Sequence, residues 1–201
     1  MQTMSNLLWA AFGVNRSDGH RTAPSARNWQ EIDIYVAMHD GTYVYEPRRH
    51  ALHTVIDEDI RAATGMQDFV GAAPVNLVYV ADLARMDAQD RTEQRFYSAI
   101  DTGFIAQNVY LFCASEGLAT VVRGLVDRKQ LAKVLRLRPE QRVIDCAKRW
   151  FPSRVSHKGR HVQEHSHSDR RVGDRQKGAA RRACAGEGAC GQRQRYHRHR
   201  A

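Results

Sequence analysis

The spacing of apolar residues changes period several times before residue 144, and each change predicts an element. Leu7, Leu8, Ala11 and Phe12 share one helical face, so Met4 to Val14 reads as a short helix with Ser5 as N-cap and Gly13 as its stop. Asn15 to Gln30 is polar and carries Gly19 and Pro24, a loop long enough to suggest function rather than connection. From Glu31 to Met38 the residues Ile32, Ile34 and Val36 alternate as a strand, His39-Asp40-Gly41-Thr42 turns, and Tyr43-Val44-Tyr45 returns as a hairpin. Ala51 to Val55 is a further strand, Asp57 to Thr64 a short amphipathic helix ended by Gly65, and Asn76 to Ala81 a buried strand.

The longest periodic stretch runs from about Thr92 to Glu116. Phe96, Ile100, Gly103, Phe104, Leu111, Ala114 and Leu118 keep a three-and-four spacing, and Ile105, Val109, Tyr110 and Phe112 fill the other sides. That pattern predicts a helix buried all round. It breaks at Glu116-Gly117-Leu118, where Gly117 permits a left-handed conformation that would release backbone N–H groups toward a ligand. Ala119 to Arg123 then reads as a strand, Asp127 to Leu135 as a helix, and Arg142-Val143-Ile144 as the start of another strand. Helices and strands mix without regular βαβ alternation, so the expected class is α+β, a mainly antiparallel sheet packed around a long central buried helix.

Charge divides the chain in two. Residues 1–144 carry 16 Lys or Arg against 17 Asp or Glu, whereas residues 145–201 carry 15 against 5, so the formal charge of +9 belongs to the last 57 residues. Those residues contain no Leu, Ile or Met and cannot bury enough apolar surface to offset their ordering entropy. The expectation is a globular domain over 1–144 and a basic, disordered tail over 145–201. A net +10 would release many counterions from nucleic acid, which makes a nucleic-acid-binding tail the alternative function. Its enrichment in Arg, Gly, Ala, His and Cys reads instead as out-of-frame translation of a GC-rich gene, so nucleic acid is not the expected partner.

His157, His161, His165, Cys184, Cys190, His197 and His199 carry metal-ligating atoms, but Cys-x5-Cys is not a zinc spacing and no apolar scaffold surrounds it, so no metal is expected. Cys113, between Phe112 and Ala114, reads as a buried thiol, and no disulfide framework is visible. The N-terminal apolar stretch is only about seven residues with no basic segment before it, which predicts neither signal peptide nor membrane span and points to the cytoplasm. No Gly-x-Gly-x-x-Gly follows a predicted strand, and Walker, zinc-protease and nucleophile-elbow motifs are absent from the sequence, so a cofactor rather than a catalytic side chain is expected to carry the chemistry.

Three segments together resemble the FMN-dependent nitroreductase family, in particular its azoline-dehydrogenase branch. They are LLWAAFGVNR at Leu7 to Arg16 leading into RTAPSARN at Arg21 to Asn28, EIDIYVAMHDGTYVYEP from Glu31, and DTGFIAQNVYLFCASEGLATVVRG from Asp101. The resemblance spans about Ser5 to Ile144 and implies FMN, NAD(P)H as electron donor, a small-molecule acceptor, hydride transfer at flavin N5, and a homodimer with FMN at its interface. By likeness, Pro24, Ser25, Ala26 and Asn28 border the flavin ring and its pyrimidine edge, while Glu116, Gly117 and Leu118 approach the N5 side. Family members open with an Arg-Ser-x-Arg segment whose cations hold the FMN phosphate, and carry a Gly-Tyr-Pro-like segment and a basic residue after the final strand. Here the sequence starts at Met1 beside the first helix and reads DCAKRWFPSRVSHKGRHV after Ile144, so the expectation is a truncated N-terminus, a frameshifted tail and impaired activity. Arg16, Arg21, Arg27 and Arg123 are the cations available to replace the missing ones.

Overall fold

A strand whose eight residues are all buried, β4 (Val75–Asp82), lies inside the sheet and organises the fold. In the computed structural model, which describes residues 2–88 and 90–150, β4 pairs on one side with β1 (Ile32–Met38) and on the other with β6 (Gln141–Trp150). β2 (Gly41–Glu46), β3 (Ala51–Ile56) and β5 (Ala119–Arg123) complete one antiparallel sheet of order β3-β2-β1-β4-β6-β5. Ile32, Ile34 and Val36 of β1 with Val75, Leu77 and Tyr79 of β4 face α1 (Gln2–Phe12) and α2 (Arg91–Ser115). Tyr35 and Ala37 with Val78 and Val80 face the opposite side, where Ile60 and Leu131 of α3 (Arg128–Val134) pack. Each fully buried side chain such as Ile34 or Leu77 contributes about 1.5–3 kcal/mol. Both faces are covered, which is why β1 and β4 read as nearly continuous apolar runs.

The class and the β1–β2 hairpin agree with the sequence pattern; several local readings do not. Ser5 lies inside α1 rather than capping it, and its hydroxyl meets His50 Nε2 at 2.6 Å. The helix expected over 57–64 is only a 3-10 turn at Arg61–Thr64, because the Asp59 carboxylate captures both the backbone N–H and the guanidinium of Arg61. β6 crosses position 144 and continues to Trp150. A bulge opposite Tyr79/Val80 shifts its register between Val143 and Asp145, and this break in alternation is what hid the strand's second half.

The largest correction concerns α2, which is not buried all round. Its inner face is Ser98, Asp101, Thr102, Ile105, Ala106, Val109 and Cys113. Phe96, Ile100, Phe104 and Leu111 point outward, with Phe96 and Leu111 each 60% exposed. The expected three-and-four stripe and the buried face are therefore different faces of one helix, and the buried one is apolar through Ile105, Ala106, Val109 and Cys113. The metal-ligating positions considered from His157 onward, and the disorder expected there, lie outside the described residues.

Candidate functional site

The loop between α1 and β1 is built in two stages. First, Val14 pairs with Arg21, Thr22 N–H donates to Gly13 O at 2.9 Å, and Gly19 N–H donates to Arg16 O at 3.0 Å, closing a small hairpin with Gly19 at φ +85°. Pro24 and Ser25 then lead into a 3-10 turn at Ala26–Asn28, where Arg27, Asn28 and Gln30 take φ of +47°, +57° and +50°. Left-handed backbone at a non-glycine residue costs about 1–3 kcal/mol, so the surroundings must over-determine this segment.

They do. Ala26 N–H donates to Asp101 Oδ2 at 2.9 Å, Gln30 N–H donates to Ser25 Oγ at 2.8 Å, and Ser25 Oγ–H donates to Glu31 Oε2 at 3.3 Å. Arg27 donates to Glu93 at 3.1 Å, Trp29 Nε1 donates to Asp87 at 2.6 Å, and Arg85 donates to Gln30 O at 3.1 Å. The strained loop is thus held by Asp101, Glu31, Glu93, Asp87 and Arg85.

Beneath it lies a carboxyl pair. Glu31 is fully buried and Asp101 only 2% exposed, and the two meet under Ser25. Burial pushes the Glu31 carboxyl up to about 6, and the Asp101 charge adds to that rise. Burial also raises Asp101, against the lowering effect of the Ala26 N–H. Glu31 Oε1 has no hydrogen-bond partner among the described residues. Sequence reading missed both residues, although one acid inside the run from Ile100 to Phe104 and one at the mouth of an apolar strand were visible signals of a buried partner.

A cavity of about 350 Å³ opens beside the loop, lined by Pro24, Ser25 and Asn28 together with Arg16, His20 and Arg21. Two of the four arginines considered as anion ligands, Arg16 and Arg21, thus line this cavity. Arg27 is turned away to Glu93, and Arg123 is buried against Asn76 and Thr64 O.

Glu116, Gly117 and Leu118 are elsewhere. Leu118 N–H donates to Cys113 O at 2.7 Å and Gly117 N–H to Ala114 O at 3.3 Å, with Gly117 at φ +65°, which is a Schellman ending. The Glu116 N–H is taken by Phe112 O at 3.1 Å. The expected N–H groups are thus used within the helix, and what this corner offers is carbonyl oxygens and the open face of Gly117, against which a Cβ would meet nothing within 4 Å. Asp101, under Ala26, and Glu116 are fifteen residues apart on α2, about 22 Å at about 1.5 Å per residue. One chain does not bring the two groups of predicted residues together.

Comparison with known proteins bears on this arrangement. A protein of Methanocaldococcus jannaschii classed as a nitroreductase is 31% identical over 148 residues, 69% of this chain and 75% of that one. A crystal structure from Ralstonia eutropha, also classed as a nitroreductase, superposes with a TM-score of 0.71 at 44% identity, covering 75% of this chain and 72% of that chain. A Desulfovibrio desulfuricans structure of the same class in complex with FMN shares the fold, with a TM-score of 0.54 at 20% identity over 81% of this chain and 80% of that one. The sequence pattern of the nitroreductase family matches residues 1–147. The chain, with its antiparallel sheet, its long α2 and its helix-flanking loop, belongs to the nitroreductase family.

Proposed function

We propose that this chain is an FMN-dependent oxidoreductase of the cytoplasm that works as a homodimer, taking electrons from NAD(P)H and delivering them to a small acceptor. When bound, FMN would supply hydride transfer at N5. Pro24, Ser25, Ala26 and Asn28 would border its ring and pyrimidine edge, and the Glu116–Gly117 carbonyls and Leu118 its other side. The chain's residues suit this role: the loop is pre-organised by Asp101 and Glu31, and Arg16 and Arg21 give the adjoining cavity the charge that a phosphate needs.

The observation that carries the reading is the separation of about 22 Å along α2 between the two groups of residues. A second chain packed on the outward face of α2, where Phe96, Ile100, Phe104 and Leu111 stand exposed, would bring one chain's loop toward the other's helix end. The test is to scan purified protein for flavin absorbance, add FMN, and sediment it with and without flavin. Yellow dimers support the proposal; colourless protein that takes up no FMN removes it. We further propose that residues 151–201 add nothing to the domain's stability, and a chain ended after Trp150 should melt with the full chain. Among the described residues no helix is long and apolar enough to cross a membrane.

A further inference from the structure

The arginines around the loop are unevenly neutralised. Arg85 holds Asp33 through two bonds of 2.8 Å, Arg27 has Glu93 and Asp87, and His20 takes Asp18 at 2.9 Å. Arg16, Arg21 and Arg48 have no carboxylate within ion-pair distance among the described residues. Arg21 is the most exacting of the three. It lines the cavity beside Pro24 and Ser25 as well as the neighbouring depression that contains Arg48. Its Nε is buried without a hydrogen-bond partner, and its guanidinium lies 4.2 Å from the Phe12 ring centroid. Arg48 packs over the turn beside it, its guanidinium 3.5 Å from where a Cβ on Gly19 would lie. Burial draws Arg21 down to about 10 against the opposing charge of Asp33, and Arg85 and Arg48 act in the same direction as burial, so the folded chain bears the cost of a cation that no carboxylate pairs directly.

We propose that Arg21, with Arg16 and with Arg48 in the adjoining depression, forms an anion site that takes a phosphate monoester at the cavity beside Pro24–Asn28. The inference deepens the flavin reading and rests on it for the ligand's identity. Two phosphates have this chemistry, the 5′-phosphate of FMN and the 2′-phosphate of NADPH. A guanidinium is the donor of choice for either, presenting fixed N–H pairs to two phosphate oxygens.

The test compares the full chain with Arg21→Gln, Arg16→Gln/Arg48→Gln and the charge-keeping Arg21→Lys, measuring affinity for FMN and riboflavin by quenching of flavin fluorescence. If the anion is the flavin phosphate, Arg21→Gln should weaken FMN about tenfold to a hundredfold, as expected for loss of a charge-assisted bond, and leave riboflavin unchanged. Arg21→Lys should retain much of the preference. If the anion is the nucleotide phosphate, the FMN to riboflavin ratio stays put, and the flavin-loaded variant loses its preference for NADPH over NADH. Neither ratio moving in variants that melt like the wild type overturns the site while leaving the flavin reading intact. If the wild type binds no flavin, the flavin reading falls and inorganic phosphate becomes the probe. A phosphate-dependent rise in melting temperature that Arg21→Gln abolishes then supports the anion site, and no rise overturns it.

Discussion

Glu31→Gln should make the domain more stable at neutral pH, although it deletes a buried carboxyl beneath the loop. Glu31 is fully buried, and its carboxyl is pushed from an ordinary 4.5 up to about 6 by burial and then by Asp101. The folded state therefore holds this proton more tightly than the unfolded chain does. Its contribution to stability is complete below about pH 4.5 and is lost as pH rises through about 6, a difference of about 2 kcal/mol. A glutamine keeps the shape, never ionises, and presents an amide to Asp101. Its advantage over glutamate should thus be smallest near pH 4.5 and grow by about 2 kcal/mol by about pH 7.5, equivalent to about 4–8 °C in melting temperature for a domain of this size. Guanidinium unfolding across this range, followed by circular dichroism and tryptophan emission, measures it. Trp29 is a local reporter, since its indole bonds Asp87 and its ring lies edge-on to Tyr97. A Gln-minus-Glu difference that is flat with pH, or that grows in favour of glutamate, refutes the account of a proton-holding pair.

Phe104→Arg, at a position 45% exposed on the outer face of α2, should convert a dimer to monomer in sedimentation and weaken FMN uptake while shifting the melting temperature little. Asn76→Ala should cost about 2–4 kcal/mol in denaturant unfolding, because it strands the buried Arg123 guanidinium and the Val70 carbonyl that the amide now serves. Cys113 and Cys146 are buried, and burial pushes the Cys146 thiol up to about 12. Iodoacetamide mapped by peptide mass should therefore leave both unmodified in the folded protein and label them only after unfolding.

Much of the fold was legible because it depends on local periodicity and turn chemistry. The Ile32–Ile34–Val36 alternation, the Asp40-Gly41 turn and the helix starting at Asp127 each act over a few residues, and each appears where the pattern placed it. Left-handed Gly117 was legible for the same reason. The bulge in β6 was not, because an extra residue in a ladder is defined only against the partner strand.

The sequence by itself determined that α2 exists, how long it is, and that it carries an apolar stripe. Only tertiary structure decided which face turns inward. The sheet side took the face on which Ile105, Ala106, Val109 and Cys113 join the core, and that face also carries Asp101, which accepts the Ala26 N–H. Periodicity reports how a helix is amphipathic and is silent on what covers its apolar side. The same limit applies to the candidate site: the family resemblance nominated Pro24, Ser25, Ala26, Asn28 and Glu116 to Leu118, but the carboxyl pair beneath the loop, the unpaired Arg21 and the length of helix between the two groups are relations across 70 residues or more of chain or along a rigid axis. Such relations arise from packing, which no short stretch of sequence contains.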